Sequence, residues 1–542
     1  MDKIFVEGVV VKPLDRDMFG ARICVEGGKI VSITKDPMVL EPYIMPGFID
    51  AHVHIESSML VPSKFAELAV RHGTVGVVTD SHEVANVAGE KGVQFMIDDS
   101  KRVPVKFFFG VPSCVPASPL EKSGAVLNAN DVERMLSDPE FYFLAEMMNF
   151  PGVLANDPEV MGKLEAAKRF GKPIDGHAPG LQGSELLAYV SSGISTDHEC
   201  STAAEALEKI KLGQLIQIRE GSAARNFHSL APLLRDSAKS LMFCTDDCHP
   251  DYLVQGHINK IVAKAISDGY DLYDVLTVST HNPVKHYNLP VGQLAVGDDA
   301  DFILVDDLVN FNTIATYIDG VKVYDKEKVY FTTAPQKPPQ FVFRTKIPEV
   351  DQLKVVSTGF KMNVIEAIPG ELLTNWVQVM VDQGQEIQSN TSEDLLKIVL
   401  LDRYSDTAPV VAFIKGFGLQ KGSIAASIAH DSHHILAVGV DDLSIQKALQ
   451  WIVENKGGLC FANNAEVTGI KLPFFGLMTD ELGEEVSIQY EELNKAVLAA
   501  GCKIKSPFMT ASFMALTVIP NLKINHNGLF DINKFSSVPL FY

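Results

Sequence analysis

His52 and His54 stand two apart in the run Ile49-Asp50-Ala51-His52-Val53-His54. On a strand, alternate side chains share a face, so both imidazoles point one way, as half of a metal site would. Pro46-Gly47 just ahead reads as a chain-entry turn, which puts the pair near the end of a first strand, where a (β/α)₈ barrel keeps its chemistry. A lone His-x-His fits one buried and one exposed histidine equally well. What packing alone does not explain is the recurrence of metal-type residues at later strand ends: Glu146, His177, His198 and Asp246. Three or four nitrogens with two or three carboxylates exceed what one tetrahedral ion needs, so the set His52, His54, Glu146, His177, His198 and Asp246 predicts two divalent metal ions bridged by Glu146. Mixed imidazole and carboxylate donors suit Mn²⁺, Fe²⁺ or Zn²⁺ and leave that choice open.

The elements that position these residues follow from periodicity. Between 45 and 290, short apolar strands alternate with helical patterns, the signature of parallel β/α architecture. Eight strands are expected: Tyr43–His54, Thr74–Asp80, Val105–Gly110, Phe141–Met147, Pro173–His177, Gly193–His198, Leu215–Arg219 and Leu241–Asp246. Helices are expected at Pro62–His72, Asp131–Ser137, Asp157–Phe170, Ser184–Ser191 and Thr202–Lys211. The Pro-, Ser- and Gly-rich connection Val111–Leu127 reads as a loop or lid over the barrel mouth.

On both sides of the barrel lie β-rich runs, 1–44 and 291–333, which together predict a flanking β-sandwich built from both chain segments. The prolines of 334–344 mark a linker. Residues 345–542 predict an α+β accessory domain, with strands at Leu396–Leu401, Val410–Lys415 and Ile435–Val440 and helices at Ser444–Asn455 and Glu491–Ala500.

Composition narrows the function classes. The 542 residues exceed one core and carry a net charge of −21 with no Lys/Arg cluster, which argues against nucleic acid as partner and for a small neutral or cationic ligand. No apolar run approaches the ~18 residues of a membrane span, and no cleavable leader pattern precedes the first strand, so no membrane partner is expected and the cytoplasm is the expected compartment. Seven scattered cysteines read as reduced thiols; Cys244 and Cys248 flank Asp246 but read as packing.

Seven segments in order, PGFIDAHVHIESSM at 46–59, SHEVANV at 81–87, AEMMNFPGV at 145–153, IDGHAPG at 174–180, STDHE at 195–199, REGSAARN at 219–226 and FCTDDCHPDYLVQGH at 243–257, resemble the amidohydrolase superfamily and within it the bacterial and archaeal adenine deaminases. The resemblance covers essentially the whole chain. It implies conversion of adenine and water to hypoxanthine and ammonia in purine salvage or catabolism, with a manganese or iron pair, zinc being possible. A homo-oligomer, a dimer first, is expected. Many binuclear relatives bridge their metals with a carboxylated lysine where this chain has Glu146. Mononuclear purine-nucleoside deaminases carry a His-Ala-Gly-Glu motif; here His177-Ala178-Pro179-Gly180 offers no glutamate. The expected reaction is attack of a metal-bridging hydroxide on C6 of adenine, with Asp246 as first choice for the proton shuttle and a purely ligating Asp246 as the alternative.

Glu83 could assist proton transfer or orient a ligand; a helix-start carboxylate favoured by the dipole is the alternative. Arg219, Glu220 and Ser222 could meet the purine edge, with a solvated ion pair the competing use of the arginine. His249 and His257 could line the pocket or be ordinary loop histidines. Asp50 shares a strand face with His52 but reads as structural. The cluster His430-Asp431-Ser432-His433-His434 fits an extra metal site, a lid or a polar strand end. Competing functions are a cyclic-amide hydrolase of the dihydroorotase or hydantoinase kind, and a metal-binding barrel without activity.

Overall fold

The computed structural model describes residues 3–222, 224–463 and 466–542; Met1 and Asp2 of the first β-rich run and Ala223 of the segment 219–226 lie outside the described residues. The chain divides into two compact units: 1–81, 94–114 and 127–335 in the first, 82–93, 115–126 and 336–542 in the second.

In the first unit, parallel strands follow one another around a barrel: Phe48–His54, Thr74–Thr79, Lys106–Val111, Phe141–Met147 and Ile174–Gly176, then Thr196–Asp197, Leu215–Arg219 and Leu241–Cys244. The eighth strand resumes as Asp246–Asp247 and pairs with the first, Asp246 opposite Val53 and Asp247 opposite His54, which closes the ring on that side. Between the fifth and sixth strands no ladder forms, but Ser195 N–H donates to Ile174 O at 2.8 Å and bridges the gap. Strands such as Thr74–Thr79 are buried at every position, as expected where both faces of a parallel sheet are covered. Intervening helices begin where side chains cap them: Asp157 accepts from Glu159 and Val160 N–H, and Thr202 from Glu205 N–H.

The expected first strand Tyr43–His54 is two elements. Tyr43–Pro46 pairs with Ile4–Lys12 and Phe302–Val305, whereas Phe48–His54 enters the barrel. Gly47 separates them, and a Cβ there would fall 2.3 Å from the Val75 side chain, so the crossing is made where only glycine fits. The β-rich runs from both sides of the barrel join in one seven-stranded sheet, Val321–Asp325, Thr313–Ile318, Phe302–Val305, Tyr43–Pro46, Ile4–Lys12, Asp17–Glu26 and Lys29–Lys35 in spatial order. One face holds an apolar cluster of its own, with Val10, Ile44, Phe302, Leu304 and Tyr317; the alternate residues Val11, Met45, Ile303 and Val305 join the barrel core.

The second unit carries an eight-stranded sheet, with Leu396–Leu401 and Val410–Lys415 at the expected bounds and Ile435–Gly439 close to them. The helix Asp442–Asn455 is capped by Asp441, which accepts from Ser444 N–H. The last long helix runs Gly483–Ala499, two turns ahead of its expected start at Glu491. Of the expected loop Val111–Leu127, residues 115–126 belong to this unit, as does 82–93. Among the described residues no helix is long and apolar enough to cross a membrane.

Candidate metal centre

Three strand ends, those of the first, fifth and sixth strands, bring four imidazoles onto two carboxylates at the ends of the fourth and eighth. Glu146, 3% exposed, divides its oxygens: Oε1 lies 3.3 Å from His54 Nε2, while Oε2 lies 2.7 Å from His177 Nδ1 and 3.2 Å from His198 Nε2. Asp246 Oδ1 lies 3.3 Å from His54 Nε2 and 3.7 Å from His52 Nε2. The His52 and His198 rings stack at 4.2 Å. Three trios, His52 with His54 and Asp246, His52 with Glu146 and His198, and His177 with His198 and Glu199, each hold ligand atoms within 4.8 Å of one another. All six side chains expected to converge therefore do so in space.

Outer contacts fix their orientation. His54 Nδ1 lies 2.9 Å from the Asp80 carbonyl, which sets Nδ1 as a protonated nitrogen and aims Nε2 at the two carboxylates. The Tyr189 hydroxyl receives the His177 backbone N–H at 3.0 Å and donates to Met147 O at 2.9 Å, tying the fourth and fifth strand ends together. Asp197, beside His198, accepts the Ala178 N–H at 3.0 Å and pairs with the fully buried Lys209 at 3.0 Å. Asp246 itself has φ 57°, a left-handed value uncommon for a non-glycine residue. Next to it, Thr245 gives its N–H and hydroxyl to Asp50, so the eighth strand is pinned where it turns. That is the structural use anticipated for Asp50, which also lies 3.0 Å from His257 Nε2.

The electrostatics suit cation ligands. Burial drives the His52 imidazole well below its ordinary pKa, with His198 and His54 adding to the effect. Against burial, hydrogen bonds to Asp246 and Glu146 hold His54 well above it, and Glu199 and Glu146 push His177 up to about 9. Also against burial, His177 and His198 hold the Glu146 carboxyl well below the usual range, and Arg219 and His54 do so for Asp246. The fit to a metal is visible in orphaned atoms: both ring nitrogens of His52, in a residue with no exposed surface, and Nδ1 of His198 have no hydrogen-bond partner. A buried polar atom left so costs about 1–3 kcal/mol, and the nitrogen and oxygen donors around these rings are those a divalent first-row ion takes.

Glu199 went unremarked in the sequence beyond its place in STDHE. Its Oε1 lies 3.4 Å from His198 Nε2 and 3.7 Å from His177 Nδ1, and its only local signal is adjacency to His198. Arg219, expected at the purine edge, is committed to carboxylates: Nη1 donates to Asp246 Oδ2 at 2.6 Å and also pairs with Glu199, to which Nη2 donates at 3.0 Å. Ser222 Oγ accepts the His249 N–H at 2.9 Å, which joins two loops that follow the seventh and eighth strands. His257 is turned away from the cluster: Thr74 Oγ1 meets its Nδ1 at 2.7 Å, and the ring borders a separate cavity of about 360 Å³ lined also by Glu220, Arg225, Tyr252 and Lys264. Glu83 belongs to the second unit, between His430 and His433. All seven cysteines are free and buried.

A parallel barrel whose strand ends gather four histidines and two buried carboxylates defines a class of metal-dependent hydrolases, and residues 43–323 match the amidohydrolase family, so the chain belongs to it. Residues 371–536 match the adenine deaminase C-terminal domain. The adenine deaminase of Methanosarcina barkeri is 49% identical over 546 residues, 99% of each chain. Those of Parabacteroides distasonis (47%, 99% of each chain) and Borreliella burgdorferi (45%, 99% of this chain and 100% of that one) are similar over the same span. Within the amidohydrolases, the chain belongs to the adenine deaminase family.

Proposed function

We infer that this chain hydrolyses adenine to hypoxanthine and ammonia in purine salvage or catabolism, as the names of its full-length relatives suggest. The observation that carries the chemistry is the division of Glu146 between His54 on one oxygen and His177 with His198 on the other, the arrangement a carboxylate adopts between two cations. The residues that would hold a pair of divalent ions, Mn²⁺ or Fe²⁺ before Zn²⁺, are His52, His54, Glu146, His177, His198 and Asp246, with Glu199 beside them. Such a pair, when bound, lowers the pKa of water toward neutrality and so supplies the nucleophile for C6.

The chain's own residues do the rest. Arg219 fixes Asp246 through Oδ2 and keeps it ionised, which leaves Oδ1, the atom facing His54 and His52, to take a proton from the attacking water and return it to the ring or the departing amine. A positioned shuttle of this kind contributes ~10²–10⁴-fold. Arg219 therefore acts through Asp246, and Ser222 and His249 are the candidates for contacts with the purine. Glu83 is retained as a second proton-handling candidate from the sequence. We further read 1–44 with 291–333 as a composite β domain, 45–290 as the catalytic barrel, 334–344 as the linker and 345–542 as an accessory domain, in a cytoplasmic homodimer.

The test is purified chain loaded with Mn²⁺ and given adenine. Hypoxanthine and ammonia in equal amounts are expected, with no ring opening of dihydroorotate or hydantoin; ring opening without ammonia would move the reading to the cyclic-amide hydrolases, and no turnover of either would leave a binding protein. Asp246→Asn is expected to keep its metal and lose ~10²–10⁴-fold in kcat.

A further inference from the structure

The second unit holds a further buried cluster of imidazoles around a carboxylate. Glu83, on the helix His82–Ala88, is 2% exposed, and both of its oxygens are claimed by imidazoles: Oε1 by His430 Nδ1 at 2.5 Å and Oε2 by His433 Nε2. The three residues hold ligand atoms within 4.8 Å of one another and all are buried. His82 Nε2 stands 3.6 Å from Glu83 Oε1 as a further donor.

The backbone is shaped to make this meeting. His430 and His433 are three apart in the turn between the strands Ser423–Ala426 and Ile435–Gly439. His433 has φ 51°, in the left-handed region that non-glycine residues uncommonly adopt. The His430 ring stacks on Phe513 at 4.5 Å, which holds it in place.

The charge balance points the same way. Glu83 and Asp431 are both buried, at 2% and 4% exposure, and among the described residues neither has a lysine or arginine within ion-pair distance. Asp431 Oδ2 has no hydrogen-bond partner. Glu83 is faced by imidazoles, and Asp431, which burial and the neighbouring Glu83 and Glu121 push up to about 7, adds to the negative charge that a cation here would offset.

We propose that Glu83, His430 and His433 form a further divalent-cation site carried wholly by the second unit. Two imidazoles and one carboxylate select a first-row ion such as Zn²⁺, Fe²⁺ or Mn²⁺ over Mg²⁺ or Ca²⁺. The competing arrangement is a proton-bridged one. Ala429 N–H lies 3.3 Å from His433 Nδ1, at the long end of a hydrogen bond; with the ion at Nε2, Nδ1 carries the ring proton and that contact opens.

The experiment counts metal in the full chain after loading with Zn²⁺ and gel filtration into metal-free buffer. Wild type, Glu83→Gln, His433→Gln and the barrel pair His52→Ala/His54→Ala are compared, with circular dichroism to confirm folding. Glu83→Gln and His433→Gln are each expected to lose about one equivalent, and the barrel pair to retain about one. With Co²⁺ in place of Zn²⁺, a visible absorption band is expected to persist in the barrel pair and to vanish when Glu83→Gln is added. A Glu83→Gln count equal to that of wild type, or a barrel pair that binds no ion, overturns the site and leaves the proton-bridged cluster. Because the retained equivalent is read without substrate, this outcome is separate from whether the chain deaminates adenine.

Discussion

The two His/carboxylate clusters are built on opposite plans. In the barrel, His52, His54, Glu146, His177, His198 and Asp246 come from the ends of five parallel strands or the residue just beyond them, and those strands are held by ladder hydrogen bonds to their neighbours. In the second unit, two of the three side chains come from one four-residue turn, 430–433, and the third from a seven-residue helix. Precision in the first case is distributed over many backbone contacts, and in the second it is concentrated in one turn with a left-handed histidine. The barrel cluster also has cationic side chains beside it, Arg219 on Asp246 and Glu199 and Lys209 on Asp197, while Glu83 has imidazoles only. The difference teaches where each cluster is vulnerable: the barrel to loss of a shared carboxylate, the turn to any change in its own backbone.

The largest expected effect is at the bridge. Glu146→Ala removes the one group that touches His54, His177 and His198 together, and both metal content by mass spectrometry and adenine turnover are expected to fall to background; retention of two ions with turnover would break the contrast. Arg219→Met comes next. It leaves Asp246 and Glu199 without their guanidinium while sparing every proposed ligand, so kcat is expected to drop ~10–100-fold, the usual scale for an outer contact of a metal site, with metal retained.

Stability sharpens the comparison further. Lys209→Met leaves Asp197 and Glu205 as uncompensated buried carboxylates, a change that costs ~3–5 kcal/mol, and a calorimetric scan is expected to show a lower midpoint for the first unit alone. The smallest effect lies in the second unit. Burial lowers the Lys523 pKa to about 7, although its ammonium donates to Leu372 O and Phe513 O. Below that pH both folded and unfolded chains hold the proton and the penalty is complete; between about 7 and the unfolded value of ~10.4 only the unfolded chain holds it. Stability of the second unit is therefore expected to rise with pH across that window, and Lys523→Met to flatten the rise. Equal slopes in the two proteins would contradict the assignment.

Much of the barrel was legible because its strands are short apolar runs between capped helices and because metal-type residues recur at their ends. Gly47 hid a boundary: the apolar pattern runs through it from Tyr43 to His54, and only the close approach to Val75 shows that the chain changes sheets there. Arg219 looked available for a substrate because nothing local announces that Glu199, twenty residues earlier, and Asp246 share it. Glu83 and His433 are 350 residues apart, a pairing with no local signal at all. The helix from Gly483 began earlier than expected because its opening turns, Gly483-Glu484-Glu485, carry little apolar periodicity.

The second unit is assembled from three lengths of chain, two of which leave and re-enter the barrel sequence at 82–93 and 115–126. A protease that cuts between the prolines of 335–339 would therefore nick the protein without releasing a C-terminal fragment: the pieces would migrate as one species on a sizing column and separate only in denaturant. For the same reason, a gene shortened to end at residue 335 would yield a first unit with two insertions lacking their packing partners and would be expected to aggregate.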